Sequence, residues 1–168
     1  PALMGECANR NISLCCYKPS GKFLARIVGK QYGNVLLRKK QYRVSDDENK
    51  SCEIARNFIV GKIFNSRAVL ERAKRDHGLS IDVNLMSEAS RELLHLAKTA
   101  KNCTDLNVLR GFEGEAASLY FAQFDMLILQ NKDYFSFKGR VKRPPVDPVN
   151  AMLSFAYTLL ANDCASAL

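Results

Sequence analysis

The run LRGFEGEAASLYF, residues 109–121, places two glutamates and two glycines in a stretch that otherwise has helical character. Heptad spacing puts Leu106, Glu113, Tyr120 and Leu127 on one line, with Leu109, Ala116, Ala117, Phe124 and Ile128 beside it. Glu113 therefore falls on an apolar stripe, where periodicity asks for a hydrophobe. A buried, ionised carboxylate costs several kcal/mol unless it is paired or binds a metal, on the order of the desolvation penalty of a lone ion. Two readings of Glu113 stand side by side: a ligand for a divalent ion, or a buried ion pair with Arg110 or Arg67. Glu115 lies off the stripe and reads as solvated or paired. Gly111 and Gly114 each cost a helix about 1 kcal/mol relative to Ala. The expected return is room for a second backbone or a ligand to approach.

One carboxylate is a partial metal site. Mg²⁺ or Mn²⁺ accepts few protein ligands when water and phosphate complete the shell, and an imidazole in the set would favour Mn²⁺. The histidines are His77 and His95. His77 reads as a helix C-terminal residue and His95 as a surface or boundary residue, and neither has a carboxylate at metal-ligand spacing. Six cysteines (Cys7, Cys15, Cys16, Cys52, Cys103 and Cys164) include no CxxC pair, so reduced thiols are expected rather than a disulfide framework or a thiolate metal site.

The second chemical feature is KGRVKRPP, where Lys138, Arg140, Lys142 and Arg143 crowd a proline-stiffened loop. Cations on such a loop suit phosphates, which position DNA without reading its sequence. Just upstream, Tyr134, Phe135 and Phe137 either stack on bases or ribose or tuck into a core. The net charge of +8 supports a polyanionic partner. Its placement is uneven: residues 1–44 hold nine Lys/Arg and one acid, and the rest of the chain holds sixteen of each sign. No run is long and apolar enough to cross a membrane.

These side chains need elements to position them. ISLCCYKPSGKFLARIV reads as a hairpin about Lys18-Pro19-Ser20-Gly21, with Pro at the second turn position and Gly at the last. GNVLLRKKQYRV continues in short β-like fashion. At Ser45 the character changes: Ser45 and Glu48 suggest a capping box opening a long helix to His77, with Gly78 as its stop and a break near Gly61. A second helix is expected over residues 82–101. A third follows Thr104-Asp105 and runs to about Gln130. Residues 131–147 read as loop. A fourth, strongly apolar helix opens with Asp147 as N-cap and Pro148 in its first turn. The expected class is α+β: residues 1–44 as a partial N-terminal β domain, and residues 45–168 as a mainly α-helical domain.

With these stretches in hand, the sequence resembles the CRISPR-associated Cas-one family, the metal-dependent DNA endonuclease and integrase of spacer acquisition. LRGFEGEAASLYF matches the family's Glu-Gly pair followed by small residues and Tyr. RVKRPPVDPVNAMLSFAYTLL matches its Arg-rich, Pro-Asp-Pro-Val-Asn helix opening, and GKIFNSRAVLERA is a weaker third match. The resemblance implies a β-rich domain followed by a helical one, homodimers, and a small ferredoxin-like CRISPR-associated partner. It implies double-stranded DNA as substrate, transesterification with Mg²⁺ or Mn²⁺, and a prokaryotic cytoplasmic setting. Family ligands run Glu, His, acid in chain order; the Glu matches Glu113, and His77 and His95 precede it. The resemblance thus implies an internal stretch of a longer protein, shortened at both ends and inactive by itself. A non-catalytic DNA-binding or dimerisation module is the competing expectation.

Overall fold

The computed structural model describes residues 1–30 and 33–167. The chain divides into two compact units, Pro1–Val35 with Val141–Leu168, and Leu36–Arg140. The first contains α1 (Ala2–Asn9), the antiparallel strands β1 (Leu14–Tyr17) and β2 (Phe23–Ile27), and α6 (Pro148–Ala167). The second contains α2, which begins at the boundary (Val35–Ser45), α3 (Glu48–His77), α4 (Val83–Ala100), α5 (Leu106–Ala122) and a 3₁₀ turn (Phe124–Leu127). A small sheet with mainly helical structure is the α+β class the sequence implies.

In the discontinuous unit, the hairpin forms at the expected turn. The Gly21 amide donates to the Lys18 carbonyl at 2.8 Å, and Gly21 takes φ +77°, a left-handed conformation that suits Gly. A Cβ there would also lie 3.0 Å from the ring of Phe155 on α6. β1 pairs Leu14 with Ile27 and Cys16 with Ala25, and the register shifts between Cys16 and Tyr17. Arg26 of β2 donates to the Asn162 side chain of α6 at 3.3 Å. The segment before the hairpin is helical rather than strand-like: α1 lies so close that a Cβ on Gly29 would come within 2.3 Å of the Ala8 carbonyl oxygen.

Asp147 caps α6 as expected, its Oδ1 accepting from the Asn150 amide at 2.7 Å. The fully buried Asn150 side chain donates to Asp147 Oδ2 and accepts from the Val141 amide at 2.9 Å, tying the preceding loop to the helix start. Further along α6, Met152, Phe155, Tyr157 and Leu160 are exposed.

In the helical unit, residues 35–45 form a helix, not the expected strand. The apolar triplet Val35-Leu36-Leu37 suits a strand, but the following Arg, Lys and Gln side chains lose little rotamer freedom in a helix. Ser45 is consequently the last residue of α2, and its hydroxyl donates to the Tyr42 carbonyl. The N-cap of α3 is Asp47, which accepts from the Lys50 amide at 3.1 Å, in place of the Ser45–Glu48 capping box. α3 continues unbroken through Gly61 to His77. Asp82 and Asp105 cap α4 and α5 in the same way, each accepting from two backbone amides.

α5 ends at Ala122, well before the expected Gln130. The 3₁₀ turn that follows presents Asp125, whose Oδ1 accepts from the Phe137 amide at 2.7 Å. The core forms where α3, α4 and α5 meet, around Ile63, Leu70, Met86, Leu93 and Leu109, all at most 1% exposed. Each such side chain contributes about 1.5–3 kcal/mol by burial. A polar clamp adds to this between α3 and α4: Glu71 accepts from Ser90 and Lys74, and Lys74 also reaches Ser87 at 3.1 Å.

Candidate functional site: Glu113 on the third core helix

The buried line of α5 runs through Leu109 and Ala116, with Leu106, Phe112, Leu119 and Tyr120 packed partly against the core. Glu113 therefore sits at the margin of the stripe, not its centre. The 106–113–120–127 heptad line follows the half-buried edge of the helix. Glu113 is half-exposed, and its Oε1 pairs with the ammonium of Lys62 from α3. Neither expected arginine is the partner: Arg110 donates to the Asn107 side chain at 3.3 Å, and Arg67 lies 3.7 Å from Glu71. Lys62 is the ion-pair partner of Glu113 that sequence reasoning misses. Its sequence signal is no more than a cation beside the apolar positions Ile59 and Ile63; the opposing charge lies 51 residues away.

Gly111 and Gly114 are both exposed, and a Cβ on either would meet nothing within 4 Å. The expected close approach of a second backbone is thus absent among the described residues, and this face of α5 is open. Glu115 is exposed, in keeping with the solvated reading. His77, at the C-terminal end of α3, and His95 on α4 are both exposed.

Among the described residues, no group of three or more His, Cys, Asp or Glu side chains is placed to hold a metal ion. Glu113 offers a divalent ion a single half-exposed oxygen ligand already paired with Lys62, and by itself that does not make a metal site. Any ion there must displace or share the carboxylate with Lys62.

The aromatic segment after α5 splits. Phe137 is buried against Phe124 and Phe121, with ring centroids 4.9 and 5.8 Å away, so it packs in the core and does not stack on a ligand. Phe135 is half-buried, and Tyr134 is exposed. Of the loop cations, Lys138, Lys142 and Arg143 are exposed and Arg140 is half-buried. Lys138 and Arg140 belong to the helical unit, and Lys142 and Arg143 to the discontinuous one. Four further cations, Arg38, Lys39, Lys40 and Arg43, lie on the exposed surface of α2.

The family model of CRISPR associated protein Cas1 matches residues 1–168. A CRISPR-associated endonuclease Cas1 of Rhodospirillum rubrum is 46% identical over 171 residues, covering 99% of this chain and 49% of that protein. One from Chlorobaculum tepidum is 41% identical over 168 residues, covering 100% and 49%. The chain spans about half the length of these curated relatives. Among solved structures, a Cas1 protein from Thermotoga maritima superposes with a TM-score of 0.72 at 22% identity, covering 98% of this chain and 49% of that one. A casposase bound to integration product gives 0.76 at 24%, covering 98% and 44%. At these identities the two structures speak for the fold, while the full-length family match and the closer sequence relatives carry the assignment. The chain belongs to the Cas1 family of CRISPR-associated proteins.

Proposed function

We propose that this chain contributes to the metal-dependent joining of short DNA fragments into a CRISPR array, with Glu113 as one ligand of a Mg²⁺ or Mn²⁺ ion. The observation that carries this reading is a half-exposed carboxylate at the edge of the core-facing side of α5, on a chain matched throughout by the Cas1 family model. The ion, when bound, neutralises charge at a phosphodiester and polarises it for attack. Within this chain, Glu113 supplies an oxygen ligand, and Lys138, Arg140, Lys142 and Arg143 hold double-stranded DNA by its phosphates. A relative is seen in a Cas6-RT-Cas1–Cas2 complex, and another protein of this fold is bound to an integration product. From the family resemblance, the partners in this reading are a second copy of the chain and a small ferredoxin-like CRISPR-associated protein. A substrate of this kind places the reaction in the prokaryotic cytoplasm.

By itself the 168-residue chain is inactive in this reading, because no group of three or more His, Cys, Asp or Glu side chains is placed to hold a metal ion among the described residues. Branched DNA incubated with the chain and Mn²⁺ tests this. No cleavage is expected; turnover that disappears in Glu113→Ala would overturn it.

A second reading, a DNA-binding module without chemistry, draws on the exposed cations of α2 and of the 138–143 loop. Its mark is affinity that falls steeply with salt and is unchanged in Glu113→Ala. A flat salt response removes it.

A further inference from the structure

α2 is a helix without a buried face. It runs for 11 residues, Val35–Ser45, and none of them is buried. A helix shorter than about 12–15 residues is marginal in water unless packing supports it. Only Val44 is half-buried, and the Ser51 hydroxyl of α3 donates to its carbonyl at 3.0 Å, so the C-terminal end of α2 is tied to the start of α3. The charges work against the helix. Lys39 and Arg43 are four residues apart and Lys40 and Arg43 three, so three exposed cations share one face. Like charges at these spacings destabilise a helix, and α2 contains no acid to offset them. Gln41, one turn from both Leu37 and Val44, is exposed on the side away from that face.

We infer that the helical form of α2 is completed by the phosphate backbone of duplex DNA, so that binding and helix formation at residues 35–45 are one coupled event. This rests on the reading of the chain as a DNA-binding module. Charge complementarity selects the occupant: the helix carries cations and no acid, and residues 1–44 hold one acid in all. In the free chain, helical and unwound forms of residues 35–45 exchange. Phosphates along the Lys39–Lys40–Arg43 face remove the repulsion among the three cations and draw the population into the helix. The observed affinity therefore carries the ordering cost of α2. A substitution that raises the helical population before binding tightens the complex by the same factor, with no charge or contact added.

The test uses the 168-residue chain and a fluorescently labelled DNA duplex at fixed low salt. Gln41→Ala and Gln41→Gly remove the same side chain, lie away from the cations and change no charge; they differ in helix preference alone. Gln41→Ala is expected to bind the duplex more tightly than Gln41→Gly by about 2- to 5-fold, the upper value being the factor that separates the two residues in a helix interior. Both are checked for folding by urea melts of the helical core. A combined Lys39→Gln, Lys40→Gln and Arg43→Gln variant should bind more weakly than wild type. In parallel, hydrogen–deuterium exchange is followed for residues 35–45 with and without the duplex. Exchange there should be fast in the free chain and slow in the complex, while the amides around Leu93 in α4 stay protected in both.

An affinity ratio between the Ala and Gly variants below about 2 means that α2 is formed before DNA arrives, and the coupling is wrong. Residues 35–45 as well protected in the free chain as the α4 core overturn it in the same way. If the triple variant binds as tightly as wild type, the duplex is held elsewhere; the coupling then fails while the DNA-binding reading stands on the 138–143 loop. Failure of the wild type to bind the duplex at low salt overturns the DNA-binding reading and the coupling together.

Discussion

Asp125 shows how one carboxylate organises the turn after α5. The Phe137 amide donates to it at 2.7 Å, and this bond holds its carboxyl below the usual carboxylate range; Lys132, 3.3 Å away, acts in the same sense. A depressed folded-state pKa stabilises the fold fully above the unfolded value, about 4. That contribution is lost as pH falls through the folded value. The near-ultraviolet dichroism of the Tyr120–Phe121–Phe124–Phe137 cluster should therefore weaken as pH drops below about 4, and Asp125→Asn should flatten that dependence. Glu71 follows the same rule, its carboxyl lowered first by the Ser90 hydroxyl and then by Lys74. At the loop, Lys142→Ala should weaken DNA binding alike for all sequences and reduce the slope of log affinity against log salt by about 0.9, one phosphate contact. Filter binding over a salt series reads both. Lys62 itself is not legible in the sequence, because an ion pair between two helices depends on which faces meet, and local spacing does not encode that.

Among the elements, α4 is the most legible. Its buried positions (Met86, Ala89, Leu93, Leu96, Ala97 and Ala100) recur at helical spacing behind the Asp82 cap, so local and tertiary preferences agree. Substituting Leu93→Ala, at 0% exposure, should cost about 2–5 kcal/mol in a urea melt. α2 escapes a local reading because its most apolar run, Val35-Leu36-Leu37, is contiguous rather than helically spaced, and none of its residues is buried to reveal a face. On α5 the helix is legible and its facing is not: Leu109 and Ala116 define the core, so a heptad line through Glu113 runs along the edge of the buried stripe. The open space at Gly111 and Gly114 gives a direct check. Gly114→Ala should stabilise the chain by about 1 kcal/mol on thermal or urea unfolding, since its Cβ meets nothing. A loss of DNA affinity in the same variant would show that the bare face serves a bound partner.

For the whole molecule, charge and chain path matter more than any single contact. The excess of +8 is carried by the first quarter of the sequence, and the helical form of residues 35–45 puts four of those cations on one surface helix. Duplex affinity should accordingly fall about 10³-fold or more between roughly 50 and 200 mM salt if about six or more phosphates are engaged, and a shallower fall would mean fewer contacts. The α+β class and the family are legible in the sequence. The return of the chain from Val141 onward to the unit begun by the hairpin is not, because contacts far apart along the chain set it.

That return has a consequence for the order of events on the ribosome. The hairpin is synthesised early, yet its contact from Arg26 to Asn162 spans 136 residues. Between them the helical unit, Leu36–Arg140, holds its own core and can close as soon as it emerges. A nascent chain arrested before α6 should therefore protect the helical core from protease while leaving the hairpin open to cleavage. Translation to Asn162 and beyond supplies the surface that seals it.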